Sequence, residues 1–165
     1  MHFFAVASLL PALALAAPVV RQADPCVPTS YTISNYVYTP GSSSGSGLDF
    51  HFQSHFSNSS IIEDPASAGT DCGASSSTAT LPGENECKTG RNNLYFDIRS
   101  QQTYDYELIH TWKCNGKTWM STTHHVVSSV TCSMDDESGT TACAAPTQDF
   151  APENAREICS TPTCP

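Results

Sequence analysis

LYFDIRSQQTYDYELIHTW, residues 94–112, contains two runs of alternating residues joined by a short polar segment. In the first run, Leu94, Phe96 and Ile98 share one side, as expected for a half-buried strand. One side of the second run carries five bulky residues, Tyr104, Tyr106, Leu108, His110 and Trp112. Residues 100–103 between them predict a hairpin connection. The stretch therefore predicts two antiparallel strands, each turning one face toward a core.

The same alternation recurs upstream, where Leu48, Phe50, Phe52 and Phe56 lie on one face of a run. Residues 31–39 and 119–132 are rich in β-branched and aromatic residues and predict two further strands. No long window has a helical period, although residues 153–158 favour one helical turn. Residues 41–47, 57–77 and 135–141 are loops by composition. The predicted fold class is all-β, an antiparallel β-barrel or a compressed sandwich stabilised by disulfides.

The N-terminus predicts export from the cell. Residues 3–16 are almost wholly apolar and are followed by small residues typical of a peptidase site, so residues 1–17 are predicted to be a signal peptide. The apolar run is too short for a membrane span. Residues 18–25 are then a short pro-segment or disordered N-terminus, residues 26–158 a single β domain, and residues 159–165 a C-terminal tail with two cysteines. The expected location is extracellular.

All eight cysteines lie beyond this leader: Cys26, Cys72, Cys87, Cys114, Cys132, Cys143, Cys159 and Cys164. In a secreted chain they indicate a disulfide framework. Cys72 with Cys87, and Cys132 with Cys143, bracket polar loops and suit local pairing, but eight cysteines allow about 105 pairings. No matched pair of short cysteine or histidine spacings is present, so no metal site and no cofactor are predicted.

The charge balance restricts the partners. Seven Lys and Arg residues stand against 16 Asp and Glu residues, a formal net charge of −9. An acidic surface repels nucleic-acid phosphates and anionic lipid headgroups. Neither a nucleic acid nor a membrane is therefore an expected partner.

The candidate catalytic residues do not converge in the predicted strands. His51 and His55 lie about 13 Å apart along one strand at ~3.3 Å per residue, too far to share a metal ion. The adjacent His124 and His125 point to opposite faces, and one of them is placed to meet His110 across a sheet.

A ribonuclease site would need Glu107, Arg99 and His110 together, but His110 lies on the other side of its strand from Glu107. A serine hydrolase is disfavoured because no G-x-S-x-G motif occurs. The histidines are best interpreted as structural, and the chain as not an enzyme.

Two surface hypotheses remain. Five aromatic residues offer core packing, a flat stacking surface for a sugar, as in a carbohydrate-binding module, or a slot for a small aromatic ligand: Tyr36, Tyr38, Tyr95, Trp112 and Trp119. Core packing explains them more simply, because a small β protein needs bulky residues to fill its interior. Asn58 begins an Asn-Ser-Ser sequon in a polar loop and is the glycosylation candidate.

The order of these features resembles that of the Alternaria major-allergen family of small secreted fungal proteins. The resemblance runs from Cys26 to residue 158 and rests on strand-like segments and cysteine intervals: residues 31–38, 48–52, 94–98 and 106–112, with Cys72 to Cys87 and Cys132 to Cys143. It implies an antiparallel β-barrel with two local disulfides, Cys72 with Cys87 and Cys132 with Cys143.

The resemblance also implies a covalent homodimer through Cys26. This chain has three additional cysteines, Cys114, Cys159 and Cys164, so Cys26 has the alternative of an internal bridge to the C-terminal tail. The function that the resemblance implies is non-catalytic recognition of a host protein or small ligand, as an effector, elicitor or allergen-like protein. A small secreted hydrolase or ribonuclease and a cell-wall carbohydrate-binding module are the alternatives.

Overall fold

The computed structural model describes residues 24–42, 45–135 and 139–159. The predicted signal peptide, most of the predicted pro-segment and all of the predicted tail except Cys159 lie outside these ranges. The described residues form two single-turn 3-10 helices, Ser59–Ile61 and Pro65–Ala68, and twelve strands. In chain order the strands are β1 (Ser30–Ser42), β2 (Gly45–His55), β3 (Ile62–Glu63), β4 (Thr70–Ser76), β5 (Glu84–Glu86), β6 (Leu94–Ser100), β7 (Asp105–Cys114), β8 (Lys117–Val126), β9 (Thr131–Met134), β10 (Thr141–Ala145), β11 (Gln148–Phe150) and β12 (Arg156–Glu157).

The strands form two antiparallel sheets. The first has the order β4-β2-β1-β10-β9, with β11 also pairing with β1, and the second has the order β12-β8-β7-β6-β5, with β3 also pairing with β7. The all-β prediction is confirmed. Of the two predicted architectures the sandwich fits, because the sheets are not closed into one barrel.

The core lies between the two sheets and contains the side chains that the alternating pattern placed inward. Phe50 of the first sheet packs edge-on against Phe96 of the second, with ring centroids 5.1 Å apart. Tyr31 and Ile33 of β1 are buried. Tyr36 is buried as well, although strict alternation from Ile33 would place it on the outward face. The parity of β1 changes at a bulge after Ser34, where Asn35 has φ 53°. Because of this bulge, both halves of β1 contribute aromatic rings to one core.

Two predicted elements at the C-terminal side are wrong. The strand predicted over residues 119–132 divides into β8 and β9, because the chain leaves the second sheet after Val126 and Ser129 adopts φ 56°. The helical turn predicted over residues 153–158 is absent. Arg156 and Glu157 instead form an edge strand that pairs with Met120 and Trp119 of β8.

The predicted loop over residues 57–77 is also wrong in its second half, where β4 pairs with β2 over seven residues. Within the predicted loop 41–47, β1 continues to Ser42 and β2 begins at Gly45. Residues 136–138 of the third predicted loop lie outside the described residues. These strands are polar, and their main-chain ladders rather than an apolar face hold them in the sheet.

Disulfides brace the sandwich at three places. Cys72 bonds to Cys87 and Cys132 bonds to Cys143, the two pairings that the family resemblance implies. Cys26 bonds to Cys114, so the alternative bridge from Cys26 to the C-terminal tail is wrong. With its sulfur committed within the chain, Cys26 is not available for a bridge between subunits. Cys159 is disulfide-bonded as well, and Cys164 lies outside the described residues.

Candidate functional site

A tight turn between β5 and β6 positions the most exposed part of the candidate site. Cys87 is tied to β4 by its disulfide, and its N–H donates to the Leu94 carbonyl oxygen at 3.0 Å. Between these anchors, Gly90 has φ 72° and Asn92 has φ 53°. Glycine and asparagine adopt this left-handed region most readily. The turn therefore presents Arg91 to solvent from a braced base.

This turn borders a cleft, which we name the Arg91 cleft. Its outer part has a volume of about 520 Å³ and is lined by Glu63, Asp64, Pro65, Thr89, Gly90 and Arg91. An inner part of about 160 Å³ shares Glu63, Pro65 and Arg91 and adds Asn93, Thr111, Trp112, Lys113 and Thr118. The outer part lies within the range of about 300–1,000 Å³ that is usual for small-molecule sites. The cleft thus joins three segments that are distant in the chain.

The carboxylate of Asp64 is buried at the base of the cleft. As the cap of the second 3-10 helix, its Oδ1 accepts from the Ala66 N–H at 3.0 Å. The same oxygen lies 3.2 Å from Asn93 Nδ2 and 3.0 Å from His110 Nε2. Its other oxygen accepts from the Ser54 hydroxyl. The site is preformed, because these bonds join both sheets beneath it.

His110 continues the network into the core. Its Nδ1 lies 3.1 Å from the Tyr31 hydroxyl, which lies 2.6 Å from Ser121 Oγ. When His110 is neutral, Tyr31 donates to Nδ1 and Ser121 donates to Tyr31. When His110 is protonated, Nδ1 donates to Tyr31, which then donates to Ser121. The two hydroxyls rotate to suit either state, so this chain of bonds is satisfied in both.

Burial and these bonds shift the acidities of the network. Burial raises the pKa of Asp64, but the hydrogen bond and the charge interaction with His110, together with the Ser54 and Ala66 bonds, outweigh it, and the pKa lies below its ordinary value. Burial also raises the pKa of Tyr31 well above its ordinary range, against a smaller lowering by the Ser121 bond. The His110 and Asp64 side chains have no solvent exposure. The pair therefore lies out of reach of a substrate and fixes the base of the cleft from beneath.

The Asn93 amide is only partly satisfied. Its Nδ2 donates to the Thr111 carbonyl oxygen at 2.8 Å and to Asp64 at 3.2 Å, which fixes the orientation of the amide. Its Oδ1 is buried and, within the described ranges, has no hydrogen-bond partner. An unpaired buried acceptor costs about 1–3 kcal/mol. Asn93, which lines the inner part of the cleft, thus carries an unused buried acceptor.

The exposed charged side chains of the cleft are unpaired within the described residues, unlike the buried Asp64. Within residues 24–42, 45–135 and 139–159, Arg99 is paired with Glu107 and Lys117 with Glu157. The side chains of Arg91, Lys113 and Glu63 form no ion pair or hydrogen bond in the same ranges, and all three residues are exposed. They are therefore free to contact a ligand.

The outer face of the second sheet carries a separate charged group. Arg99 forms an ion pair with Glu107, and His124 Nε2 lies 2.6 Å from Asp105 Oδ1. His124 is also the cross-strand neighbour of Glu107. The histidine beside Glu107 and Arg99 is therefore His124 and not His110, which lies in the core.

The other histidines contact different neighbours and do not meet in one site. The cross-strand partners of His110 are Leu94 on β6 and Ser121 on β8, so the expected contact with His124 or His125 is wrong. His51 Nδ1 lies 2.8 Å from Asp71 Oδ1, whereas His55 Nε2 lies 2.8 Å from Thr32 Oγ1. The described part of the chain contains no group of three or more potential metal ligands.

The aromatic stacking surface does not form. Tyr36, Tyr38 and Trp112 are buried, and only Trp119 and Tyr95 of the five are partly exposed. Trp112 Nε1 donates to the Cys26 carbonyl oxygen at 2.8 Å, and its ring stacks on Trp119 with centroids 6.5 Å apart. These residues pack the interior, and Trp112 also contributes to the cleft wall.

The glycosylation candidate Asn58 is exposed and caps the first 3-10 helix. Its Oδ1 accepts from the Ser60 N–H at 3.1 Å and from the Ser60 hydroxyl at 2.7 Å. The sequon hydroxyl therefore contacts the acceptor amide directly.

Sequence reasoning missed most of the cleft. The sequence suggests core packing or sugar stacking for Trp112, and Asp64 lies in a segment predicted to be a loop. The Thr-Gly-Arg-Asn sequence of residues 89–92 is a recognisable turn signal, but its neighbours across the cleft are not apparent from spacing.

A scan against protein-family models found no match, and searches of curated proteins and of solved structures found none either. Within the described residues, no helix has the length and apolar character required to cross a membrane. The disulfides indicate an oxidising environment.

Proposed function

We propose that this chain is a secreted, non-catalytic recognition protein that binds a host protein or small ligand in the Arg91 cleft. The observation that carries the proposal is the set of exposed, unpaired charges at the cleft, Arg91, Lys113 and Glu63, on a base held by a disulfide and a buried hydrogen-bond network. A braced scaffold presenting free polar groups is the usual design of a recognition site.

The location and the biological role follow from the sequence features. The apolar leader and the cysteine content support export, and the family resemblance supports an effector, elicitor or allergen-like role at the boundary with a host. The disulfides among the described residues suit a protein that must persist outside the cell. The acidic charge excess argues against a nucleic-acid ligand.

The test is infiltration of purified protein into leaf tissue of several plants, with defence responses scored for three proteins. The wild type is expected to change the response, and Arg91→Ala/Lys113→Ala is expected to lose that effect. Lys88→Ala is the matched control, since it removes an exposed cation from the same turn but lies outside this cleft. A wild type that is inert in every plant would overturn the host role, and equal activity of the cleft variant would overturn the assignment of the site.

A small secreted ribonuclease or hydrolase is a second candidate, because Arg99, Glu107 and His124 adjoin on one exposed face. A carboxylate, an imidazole and a guanidinium are the groups that general acid–base cleavage of a phosphodiester uses. RNA turnover that is lost in Glu107→Gln and His124→Ala would favour this candidate. The absence of RNA turnover would favour the recognition function over the enzymatic one.

A further inference from the structure

We infer that the Arg91 cleft takes a hexuronate, the carboxylate-bearing sugar unit of an acidic polysaccharide. The inference rests on the proposed function for the position of the site and adds the chemical class of the ligand. It is carried by three kinds of group that meet in the cleft: unpaired cations, unpaired hydrogen-bond acceptors and a small apolar wall.

The cations select an anion. Arg91 and Lys113 line the cleft and form no ion pair within the described residues, although Glu63 lies opposite Lys113 in the β3–β7 ladder and the chain as a whole has a formal charge of −9. Guanidinium binds a carboxylate through two parallel hydrogen bonds, and an ammonium adds a point charge beside it. Because Glu63 and Asp64 line the same cleft, its formal charge is balanced, and the attraction for an anion is local to the Arg91 guanidinium and the Lys113 ammonium.

The acidic groups of the same cleft restrict the charge of that anion. Glu63 lies opposite Lys113 in the β3–β7 ladder, and the buried Asp64 carboxylate lies at the base. Both repel a ligand that carries two negative charges at one atom group, such as a phosphate monoester. A single carboxylate is the anion that two cations and one exposed carboxylate accommodate best.

The acceptors select a ligand that also has hydroxyl groups. The Glu63 carboxylate accepts hydrogen bonds but cannot donate them, and Asn93, whose buried Oδ1 has no partner within the described residues, also lines the cleft. Thr118 adds an exposed hydroxyl to the inner part of the cleft. A ligand with several O–H donors satisfies these groups, whereas a simple fatty or aromatic acid leaves them unpaired.

The wall of the inner part suits the ring of a sugar. Pro65, which is half-buried, supplies apolar surface on which the C–H groups of a pyranose pack, and the buried Trp112 lies behind it in the lining of the inner part. The larger outer part continues past Thr89 and Gly90 and leaves room for neighbouring sugar units. A short stretch of an acidic polysaccharide therefore fits better than an isolated small acid.

The experiment is a titration of the full secreted chain, labelled with ¹⁵N, with trigalacturonic acid. The NMR chemical shifts of the ¹⁵N–H groups are expected to change at the Trp112 indole and at four main-chain amides, those of Gly90, Arg91, Asn93 and Lys113. Arg91→Gln/Lys113→Gln is expected to weaken binding by about tenfold or more, as the loss of a charge-assisted contact predicts. Lys88→Gln is expected to bind like the wild type.

Three further probes separate the ligand classes. The fully methyl-esterified trimer tests the carboxylate, glutarate tests the hydroxyls, and inorganic phosphate tests a general anion site. Binding of any of these as tight as that of trigalacturonic acid would overturn the inference, and so would shifts confined to residues outside the cleft. Loss of the leaf response in the cleft variant without galacturonate binding would refute the ligand class while leaving the recognition site in place.

Discussion

His110 Nε2 lies 3.0 Å from Asp64 Oδ1, and both side chains are completely buried. This contact joins β7 of the second sheet to the segment that leads into β4 of the first, directly beneath the Arg91 cleft. A buried pair of this kind is usually weak evidence of net stability, but removing one partner alone leaves an uncompensated group. The pair therefore fixes the base of the site more than it strengthens the fold.

Asp64→Asn is expected to reduce the free energy of unfolding at pH 7 by about 3–5 kcal/mol, because it removes the charge of one partner of a buried pair and leaves His110 without its carboxylate. Asp64 also predicts a pH dependence. Its folded pKa lies below the ordinary 3.8, so its contribution is complete above that value and is lost as the pH falls through the folded pKa. Urea unfolding from about pH 7 to pH 2 measures both effects. If the free energy of unfolding of the wild type and that of Asp64→Asn changed equally with pH, Asp64 would not be the group that causes the pH dependence.

Tyr31→Phe tests the next step of the network. Removing the hydroxyl leaves His110 Nδ1 and Ser121 Oγ without the partner they share, at an expected cost of about 1–3 kcal/mol. Tyr95→Phe is the matched control, because the Tyr95 hydroxyl has no hydrogen-bond partner in the part of the chain that the structure describes. Urea midpoints compare the two variants, and equal midpoints would exclude a stabilising role for the Tyr31 hydroxyl.

The parts of the fold that the sequence predicts correctly are the strands with one apolar face. In β2, β6 and β7 the alternation identifies the inward residues directly, because a period of two assigns every side chain to a face. Ile98 and Leu108 illustrate the rule, since both pack toward the core as expected. The hairpin after Ser100 follows from the same pattern.

The strands that sequence reasoning missed lack this signal. β4 reads Thr-Asp-Cys-Gly-Ala-Ser-Ser, and what holds it is the ladder to β2 and the bridge from Cys72. The break after Val126 depends on a left-handed serine, which composition does not reveal. Main-chain pairing is a tertiary property, so neither feature was predictable from local pattern.

The candidate site was less predictable than the fold. Glu63, Arg91 and Lys113 lie far apart in the chain and meet only because β3 pairs with β7 and the β5–β6 turn lies beside them. The bridge between Cys26 and Cys114 is likewise a contact at long range, which cysteine counting left among many alternatives.

Gly69→Ala is expected to destabilise the protein by about 1–3 kcal/mol. Gly69 has φ 90°, and a Cβ atom there would lie 2.3 Å from His51 Nε2, so the ring and its bond to Asp71 would have to move. Gly83→Ala is the control, since a Cβ atom at Gly83 meets nothing within 4 Å. Thermal unfolding of both variants gives the comparison. A loss at Gly83 as large as that at Gly69 would show that the strained backbone at Gly69 is not the cause.

The disulfides are expected to differ in their contribution to stability according to the loop that each closes. Cys26 and Cys114 are 88 residues apart, whereas Cys132 and Cys143 are 11 residues apart. In the chain-entropy model these separations correspond to about 4.6 and about 2.8 kcal/mol. The first bridge is also buried against Trp112, whereas Cys132 lies on an exposed strand.

Cys26→Ala/Cys114→Ala is therefore expected to lower the free energy of unfolding more than Cys132→Ala/Cys143→Ala, with the larger drop accompanied by a change in Trp fluorescence. Because Trp112 Nε1 donates to the Cys26 carbonyl oxygen, loss of the bridge frees the N-terminal segment that covers the indole. Urea unfolding followed by fluorescence measures both quantities on the same sample. An equal loss of unfolding free energy in the two variants would mean that loop length does not govern the contribution of each bridge. An unchanged Trp spectrum would mean that the indole contact, rather than the sulfur bridge, holds the main chain at position 26 in place.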